Sequence, residues 1–256
     1  GSRHRGLTVL EFLQRPDGES IAYHHSRGST PGVLFCPGFN SDMQGSKALA
    51  LEAGCRERGR QYTRFDYFGH GQSSGVVEQG TIGRWRSDTL AVLAQVTSGP
   101  QYIVGSSLGG WMMLLAALAV PERVAGLLGV AAAPDFTRDL VRRLLDAAQR
   151  DQLADLGYVD LPSDYDDGRP YRISQALRDE SDAHLLLDGP IPIDVPVRLS
   201  HGQADPDIPW QNSLRLAERL SGGDVEVQLV KCGDHRLSGA GDLRRLLNAL
   251  EQMYRD

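Results

Sequence analysis

The chain has 256 residues, 41% of them hydrophobic, and a formal net charge of -6 at pH 7. That length holds one α/β domain or two small ones with a substantial buried core, and the acidic balance without any Lys/Arg run argues against nucleic acid or an anionic membrane surface as a partner. The longest apolar run, 111–120, stops at Pro121, well short of the roughly 20 residues that cross a bilayer, so no stable membrane insertion is expected.

The opening Gly1-Ser2 reads as an expression scar, which puts any natural leader outside this sequence. Eight β-rich runs follow, at 7–13, 20–25, 32–36, 61–67, 101–105, 123–132, 195–200 and 224–230. Helical patterns lie between them at 43–58, 81–96, 108–120, 210–220 and 240–254. Strands alternating with helices predict βαβ units and a mainly parallel sheet, so the fold class is α/β. The first strands, joined without helices, predict an antiparallel edge. Cys36, Cys55 and Cys232 are too scattered for a disulfide framework and lack metal-ligand spacing with His.

The rhythm breaks at 135–194. Two helices are expected there, 136–156 and 173–187, around a polar segment with Pro162, Gly168 and Pro170 and no strand pattern. An insertion at this point would overhang one end of the sheet as a helical lid. Between Asp151 and Asp182 it carries nine Asp/Glu against three Arg, a balance a solvated helical face explains most simply. Leu140, Leu144, Leu145, Leu177 and Leu185 read first as core contacts.

Two stretches fit G-x-S-x-G, the pattern of a nucleophilic serine on a sharp strand-to-helix turn. Gly105-Ser106-Ser107-Leu108-Gly109 follows a strand and opens a helix, and its small residues let the two elements approach closely. Gly71-Gln72-Ser73-Ser74-Gly75 is followed by two valines and a glycine before the next helix, so it reads as a structural loop. Ser106 is excluded because its frame begins at Val104 and ends at Leu108. A phosphate-binding glycine turn is the competing account of 105–110, and it lacks the P-loop Lys.

A serine alcohol needs a base, and the base an orienting acid. On this kind of turn the expected chain order is Ser, then Asp or Glu, then His. His4, His24, His25 and His70 lie upstream of Ser107, His184 falls in the expected lid, and His201 ends a strand. His235, in KCGDHRL, follows the last strand and precedes the last helix. Asp205 lies just beyond the strand at 195–200, so Ser107, Asp205 and His235 all occupy strand C-terminal ends, where catalytic groups of open α/β sheets collect. The oxyanion donors expected are the backbone N–H of Leu108 and that of Phe39, since Pro37 has no N–H and Gly38 frees the turn.

In this order PGF, GSSLGG, HGQADPDIP and GDH resemble the α/β-hydrolase superfamily over nearly the whole chain. The longer strings RFDYFGHGQSSG, GPQYIVGSSLGGWMMLLAA and PIPIDVPVRLSHG are similar to a mitochondrial serine-hydrolase subgroup with bacterial relatives. The resemblance implies an α/β-hydrolase fold over a single domain, 1–256, with an eight-stranded, mainly parallel sheet and a helical lid at 135–194. It implies Ser107 as nucleophile, Asp205 as acid, His235 as base, Phe39 and Leu108 as oxyanion donors, and no metal or organic cofactor. The substrates it implies are small acyl esters, acyl glucuronides among them, or S-acylated proteins. It implies a mitochondrial matrix location if the source is eukaryotic, and a cytoplasmic one if it is bacterial. A non-catalytic binding protein of the same fold and a small serine peptidase are the alternatives; all three triad residue types are present, and 256 residues cannot hold a large gating domain.

Overall fold

The structure, a computed structural model, describes residues 8–162 and 170–256. In chain order the elements of the first half are β1 (Glu11–Gln14), β2 (Ser20–Ser26), β3 (Ser29–Cys36), α1 (Ser46–Glu57), β4 (Arg60–Phe65), α2 (Ile82–Gln95), β5 (Gln101–Ser106), α3 (Leu108–Ala119) and β6 (Val124–Val130). There follow α4 (Phe136–Arg143), α5 (Ala147–Leu156), β7 (Tyr158–Leu161), β8 (Tyr171–Ser174), α6 (Gln175–Ser181), β9 (Val197–Gly202), α7 (Gln211–Arg219), β10 (Val225–Val230) and α8 (Ala240–Arg255).

The main sheet has eight strands in the order β1-β2-β4-β3-β5-β6-β9-β10. β1 and β2 pair antiparallel, as do β2 and β4, and every other neighbour is parallel. The antiparallel edge therefore falls where the strands lack a connecting helix. All eight expected strands have a counterpart in this sheet, although Leu7, the start of the first run, lies outside the described residues. The central strands β3, β4, β5 and β6 are buried on both faces, and alternate side chains divide between two cores. Leu34, Cys36, Ile103 and Leu127 pack with α2, α3 and α7, whereas Val33, Phe35, Val104 and Leu128 pack with α1 and α8.

Residues 135–194 depart from expectation. The helix expected at 136–156 is two, because Asp146 restarts it: its carboxylate accepts from Gln149 N–H at 2.8 Å, and the Gln149 side chain accepts from Asp146 N–H at 2.9 Å. The helix expected from 173 instead begins at Gln175, capped by the Ser174 hydroxyl, which accepts from Leu177 N–H at 2.9 Å. Ahead of it lies an antiparallel strand pair, β7 with β8, which the sequence pattern does not show. Four-residue strands are too short for a period-2 signal, and this pair is fixed by cross-strand partners: Arg172 binds Asp160 at 2.8 and 3.0 Å and lies over the Tyr158 ring. Gly168, Asp164, Asp166 and Asp167 of the polar segment lie outside the described residues.

The same segment is fastened into the sheet's core. Leu145, Leu153, Val159, Ile173, Leu177 and Leu187 are all buried in one cluster with Ile103 and Trp111. Asp135 ties the start of the segment to its end: fully buried at φ +60°, it accepts from Leu186 N–H at 2.8 Å and Leu187 N–H at 2.9 Å, with Arg138 alongside at 3.5 Å. Removing that carboxylate would orphan two backbone donors, while the Arg138 guanidinium keeps its two bonds to Asp188. Asp135→Ala is therefore expected to lower the unfolding free energy by about 3 kcal/mol, and Asp135→Asn, which keeps one acceptor, by less, as read from urea denaturation midpoints.

Candidate active site

β5 ends at Ser106 and α3 begins at Leu108, so the chain reverses within Ser107 alone. The cost is a backbone at φ +56°, ψ -112°, a region an L residue rarely occupies. Three bonds hold it there. Ser107 N–H donates to Val130 O at 2.9 Å, and its carbonyl accepts from Gly110 N–H at 2.9 Å and Ala133 N–H at 3.0 Å. The two flanking glycines are sterically required, since a Cβ on Gly105 would stand 2.2 Å from Gly109 O and one on Gly109 only 1.9 Å from Cys36 O.

The turn lifts the Ser107 hydroxyl above the C-terminal edge of the sheet. There His235 Nε2 lies 3.1 Å from Ser107 Oγ, and His235 Nδ1 lies 2.7 Å from Asp205 Oδ2. The residues come from loops after β5, β9 and β10, separated by up to 128 positions in the chain. With Nδ1–H donated to the carboxylate, Nε2 faces the hydroxyl as an acceptor, the arrangement that lets an imidazole take a serine proton.

Asp205 is more strongly held than its partner. Its Oδ1 accepts from Asp207 N–H at 2.8 Å and Ile208 N–H at 2.9 Å, while Oδ2 lies 3.2 Å from His201 Nε2. Burial by itself would raise this carboxyl's pKa, but the hydrogen bonds to His201 and His235, the electrostatic pull of His235 and the N–H of Ile208 outweigh it and hold the group well below the usual carboxylate range. His201, a candidate base by sequence, thus faces the acid rather than the serine. Its Nε2 also donates to Ile208 O at 2.9 Å, and its Nδ1 lies 2.7 Å from Ser213 Oγ. Asp205, Asp207 and His235 each place one metal-type ligand atom within 4.8 Å of the others. The Asp205 oxygens of that set are already engaged by two backbone amides and two imidazoles.

The second G-x-S-x-G stretch is a bracing loop. Ser73 Oγ donates to Asp66 O at 2.6 Å and accepts from Ala22 N–H at 2.8 Å. Asp66 in turn accepts from Met43 N–H at 2.8 Å and Gln72 N–H at 2.9 Å, with burial pushing its pKa up to about 6. His70 completes the brace: Nε2 accepts from Asn40 N–H at 3.1 Å and Nδ1–H donates to Phe68 O at 2.9 Å, so its partners fix the neutral tautomer. Burial lowers its pKa to about 4. Tyr67 hydroxyl donates to Pro37 O at 2.9 Å. Sequence reading missed these holders of residues 37–43. Their one visible signal is an Asp and a His in the otherwise apolar end of β4 and its loop.

The loop they brace carries Phe39, whose N–H donates to no other described residue. Leu108 is the first residue of α3, where amides point out of the helix start. The Phe39 ring stacks on Tyr171 at 5.7 Å and meets Trp85 and Phe136, joining the loop to the 135–194 segment. Between them lies a cavity of about 250 Å³ that reaches Ser107 and His235. Phe136, Leu140, Leu144, Leu161 and Ile173 make its wall apolar. The expected core leucines therefore divide: Leu145 and Leu177 are buried, Leu185 is partly buried against the core, and Leu140 and Leu144 line the cavity, Leu144 being half exposed.

Comparison with known proteins agrees with this architecture. Residues 31–167 match the family model described as alpha/beta hydrolase fold. The chain is 41% identical over 253 residues to the palmitoyl-protein thioesterase ABHD10, mitochondrial, of Bos taurus, a match spanning 98% of this chain and 81% of the relative. The human protein of that name is 41% identical over 251 residues, at 97% and 81% coverage. Among solved structures, alpha/beta hydrolase domain-containing protein 10 from mouse superposes with a TM-score of 0.89 at 42% identity, covering 96% of this chain and 98% of its own. A crystal structure from Agrobacterium vitis S4 gives 0.91 at 36% identity, covering 97% and 99%.

His70 supplies a pH test of the brace. Its folded pKa, about 4, lies below the ordinary value near 6.5, so between those values the unfolded chain takes up a proton that the folded chain does not. Its contribution is complete above pH 6.5 and is lost as pH falls toward 4. Asp66 works in the opposite direction but is common to both proteins in a comparison. Going from pH 7 to 5, the wild type is expected to lose about 2 kcal/mol more unfolding free energy than His70→Gln, measured by denaturation at each pH.

Proposed function

This chain belongs to the alpha/beta hydrolase family, and from that premise we propose that it is a serine hydrolase of acyl thioesters and esters. Ser107 is the nucleophile, His235 the general base and Asp205 its orienting acid. The observation that carries the reading is the Ser107 hydroxyl 3.1 Å from His235 Nε2 at the end of an apolar cavity. The relatives named palmitoyl-protein thioesterases favour S-acylated proteins as substrates, with small acyl esters using the same machinery.

In this reading Ser107 Oγ attacks the acyl carbonyl as its proton passes to His235 Nε2. The imidazolium so formed is stabilised by Asp205, 2.7 Å from Nδ1. Negative charge on the carbonyl oxygen is taken by the N–H groups of Phe39 and Leu108, each such donor being worth about 3 kcal/mol. Collapse breaks the bond to the leaving group, which takes the proton from His235. Water, activated by the same imidazole, then releases the acid from the acyl-enzyme. The chain needs no further reactant for these steps.

The 135–194 segment serves as a lid over the acyl chain. Its contribution to the cavity is apolar, and each buried CH₂ is worth about 0.8 kcal/mol. A non-catalytic binding protein would have no use for a serine held in strained backbone against an imidazole. Phe136, Leu140 and Leu161 offer no hydrogen-bonding side chain to the backbone of an extended peptide, which favours an acyl chain over a peptide on that side.

Two measurements test the proposal. Ser107→Ala is expected to abolish fluorophosphonate labelling, while Ser73→Ala and Ser106→Ala retain it; peptide mapping of the adduct decides, and an adduct on Ser73 would overturn the assignment. For p-nitrophenyl or thioester substrates, kcat/KM is expected to rise from acetyl to octanoyl, with a capped peptide amide cleaved negligibly. A flat or falling profile would contradict an apolar acyl site.

A further inference from the structure

His235 is carried by the loop between β10 and α8, and that loop is fastened at both of its ends. Upstream, Gly233 ties it to the sheet: its N–H donates to Val230 O at 3.0 Å, and its carbonyl accepts from Ala204 N–H at 3.0 Å. Downstream, Leu237 is held at φ +46°, a conformation an L residue rarely adopts, with its N–H donated to Asp234 Oδ1 at 2.8 Å. His235 and Arg236 lie between these two points. The imidazole reaches Ser107 Oγ only if the stretch from Arg236 to Ser238 stays where it is.

That stretch is gripped from α1. The Lys47 ammonium donates to Arg236 O and, at 3.0 Å, to Ser238 Oγ, across 189 and 191 positions of the chain. The Ser238 hydroxyl in turn lies 3.3 Å from the same Arg236 carbonyl, so the three groups close a triangle directly after His235. The place of this lysine is otherwise unfavourable. It is the second residue of α1, where the helix dipole presents its positive end. Burial also opposes its charge and lowers its pKa to about 8; Arg236 acts in the same direction, while Asp234 on the loop and Asp242 on α8 favour the charge. Asp42 and His235 border the same cavity. With Asp234 and Asp242 as its counter-charges, the ammonium directs its N–H groups at the loop. Charge-assisted bonds are about twice as strong as neutral ones, and here two of them hold the backbone beside the imidazole.

We propose that Lys47 is a positioning residue for His235: through Arg236 O and Ser238 Oγ it fixes where the imidazole stands relative to Ser107. The assignment rests on the hydrolase reading above. It also gives turnover a dependence on pH that the triad alone does not supply. Below about pH 8 the ammonium is intact. As pH rises through that value the neutral amine donates weaker bonds, the loop loosens and turnover falls. His235 must be unprotonated to accept the serine proton, which sets the acid limb of the profile, and Lys47 sets the alkaline limb.

The test is kcat and KM for p-nitrophenyl octanoate from pH 6 to pH 10, corrected for spontaneous hydrolysis, with the rate of fluorophosphonate labelling of Ser107 measured at the same pH values. Wild-type kcat and labelling rate should both fall above about pH 8. Lys47→Met should lower kcat at pH 7 by about tenfold, with KM changed by less than about twofold, and should show no alkaline limb. Lys47→Arg, whose charge persists over this range, should recover most of kcat and also lack the limb. The shape of a profile is independent of the amount of active enzyme, so a lysine that only stabilised the fold would leave the limb in place in the protein that remains. Ser238→Ala keeps Lys47 but removes one acceptor from its ammonium, so it should move the limb to lower pH; it serves where Lys47→Met does not fold. A wild-type profile flat to pH 10, or an alkaline limb unchanged in Lys47→Arg and Ser238→Ala, overturns the assignment. Absence of turnover together with no fluorophosphonate adduct on Ser107 in the wild type would remove the hydrolase reading, and this one with it.

Discussion

The structure is organised around a single unfavourable backbone conformation, that of Ser107. Holding an L residue at φ +56° costs about 1–3 kcal/mol, and it persists only because its surroundings over-determine it. The determinants lie far apart in sequence. Val130 and Ala133 lie in and after β6, Cys36 ends β3, and Gly105 and Gly109 let β5 and α3 close to backbone contact. The central order β3-β5-β6 is what places these groups together, and the wholly apolar α3 behind the turn gives it a rigid backing.

Around that fixed hydroxyl, electrostatics sets the roles of the other side chains. Asp205 lies between two imidazoles and accepts two backbone N–H groups, which makes it a permanent anion despite its burial. A proton arriving on His235 would be favoured by a charge already in place, with no reorganisation needed. His201 faces the same carboxylate from the opposite side and, through Ser213, anchors it to α7.

Shape divides the site as clearly as charge does. On one side of Ser107 the 135–194 segment supplies aromatic and aliphatic side chains; on the other, α1 and the His235 loop supply hydroxyls and cations. The loop with Phe39 lies between the two, braced from below by His70, Asp66 and Tyr67 and stacked from above on Tyr171.

The sequence by itself determined what short-range free energies control. Short β-rich runs marked the eight strands of the sheet, apolar helical faces marked the five helices that flank it, and the Gly105–Gly109 context distinguished Ser107 from Ser73 because a helix follows only the first. Even the order of Ser107, Asp205 and His235 at strand ends was legible, since an alternating α/β chain fixes which ends face one edge. Tertiary structure alone decided the rest. That His201 turns toward Asp205 while His235 reaches Ser107 depends on the parallel register of β9 with β10 and on the loops beyond it. The β7–β8 pair depends on cross-strand partners rather than on a pattern within either strand. Leu140 and Leu144 face a cavity while Leu145 and Leu177 are buried because α4, α5 and α6 pack against a sheet whose position no local period encodes. Secondary structure follows from interactions a few residues apart, whereas the face each element presents follows from contacts made across the whole chain.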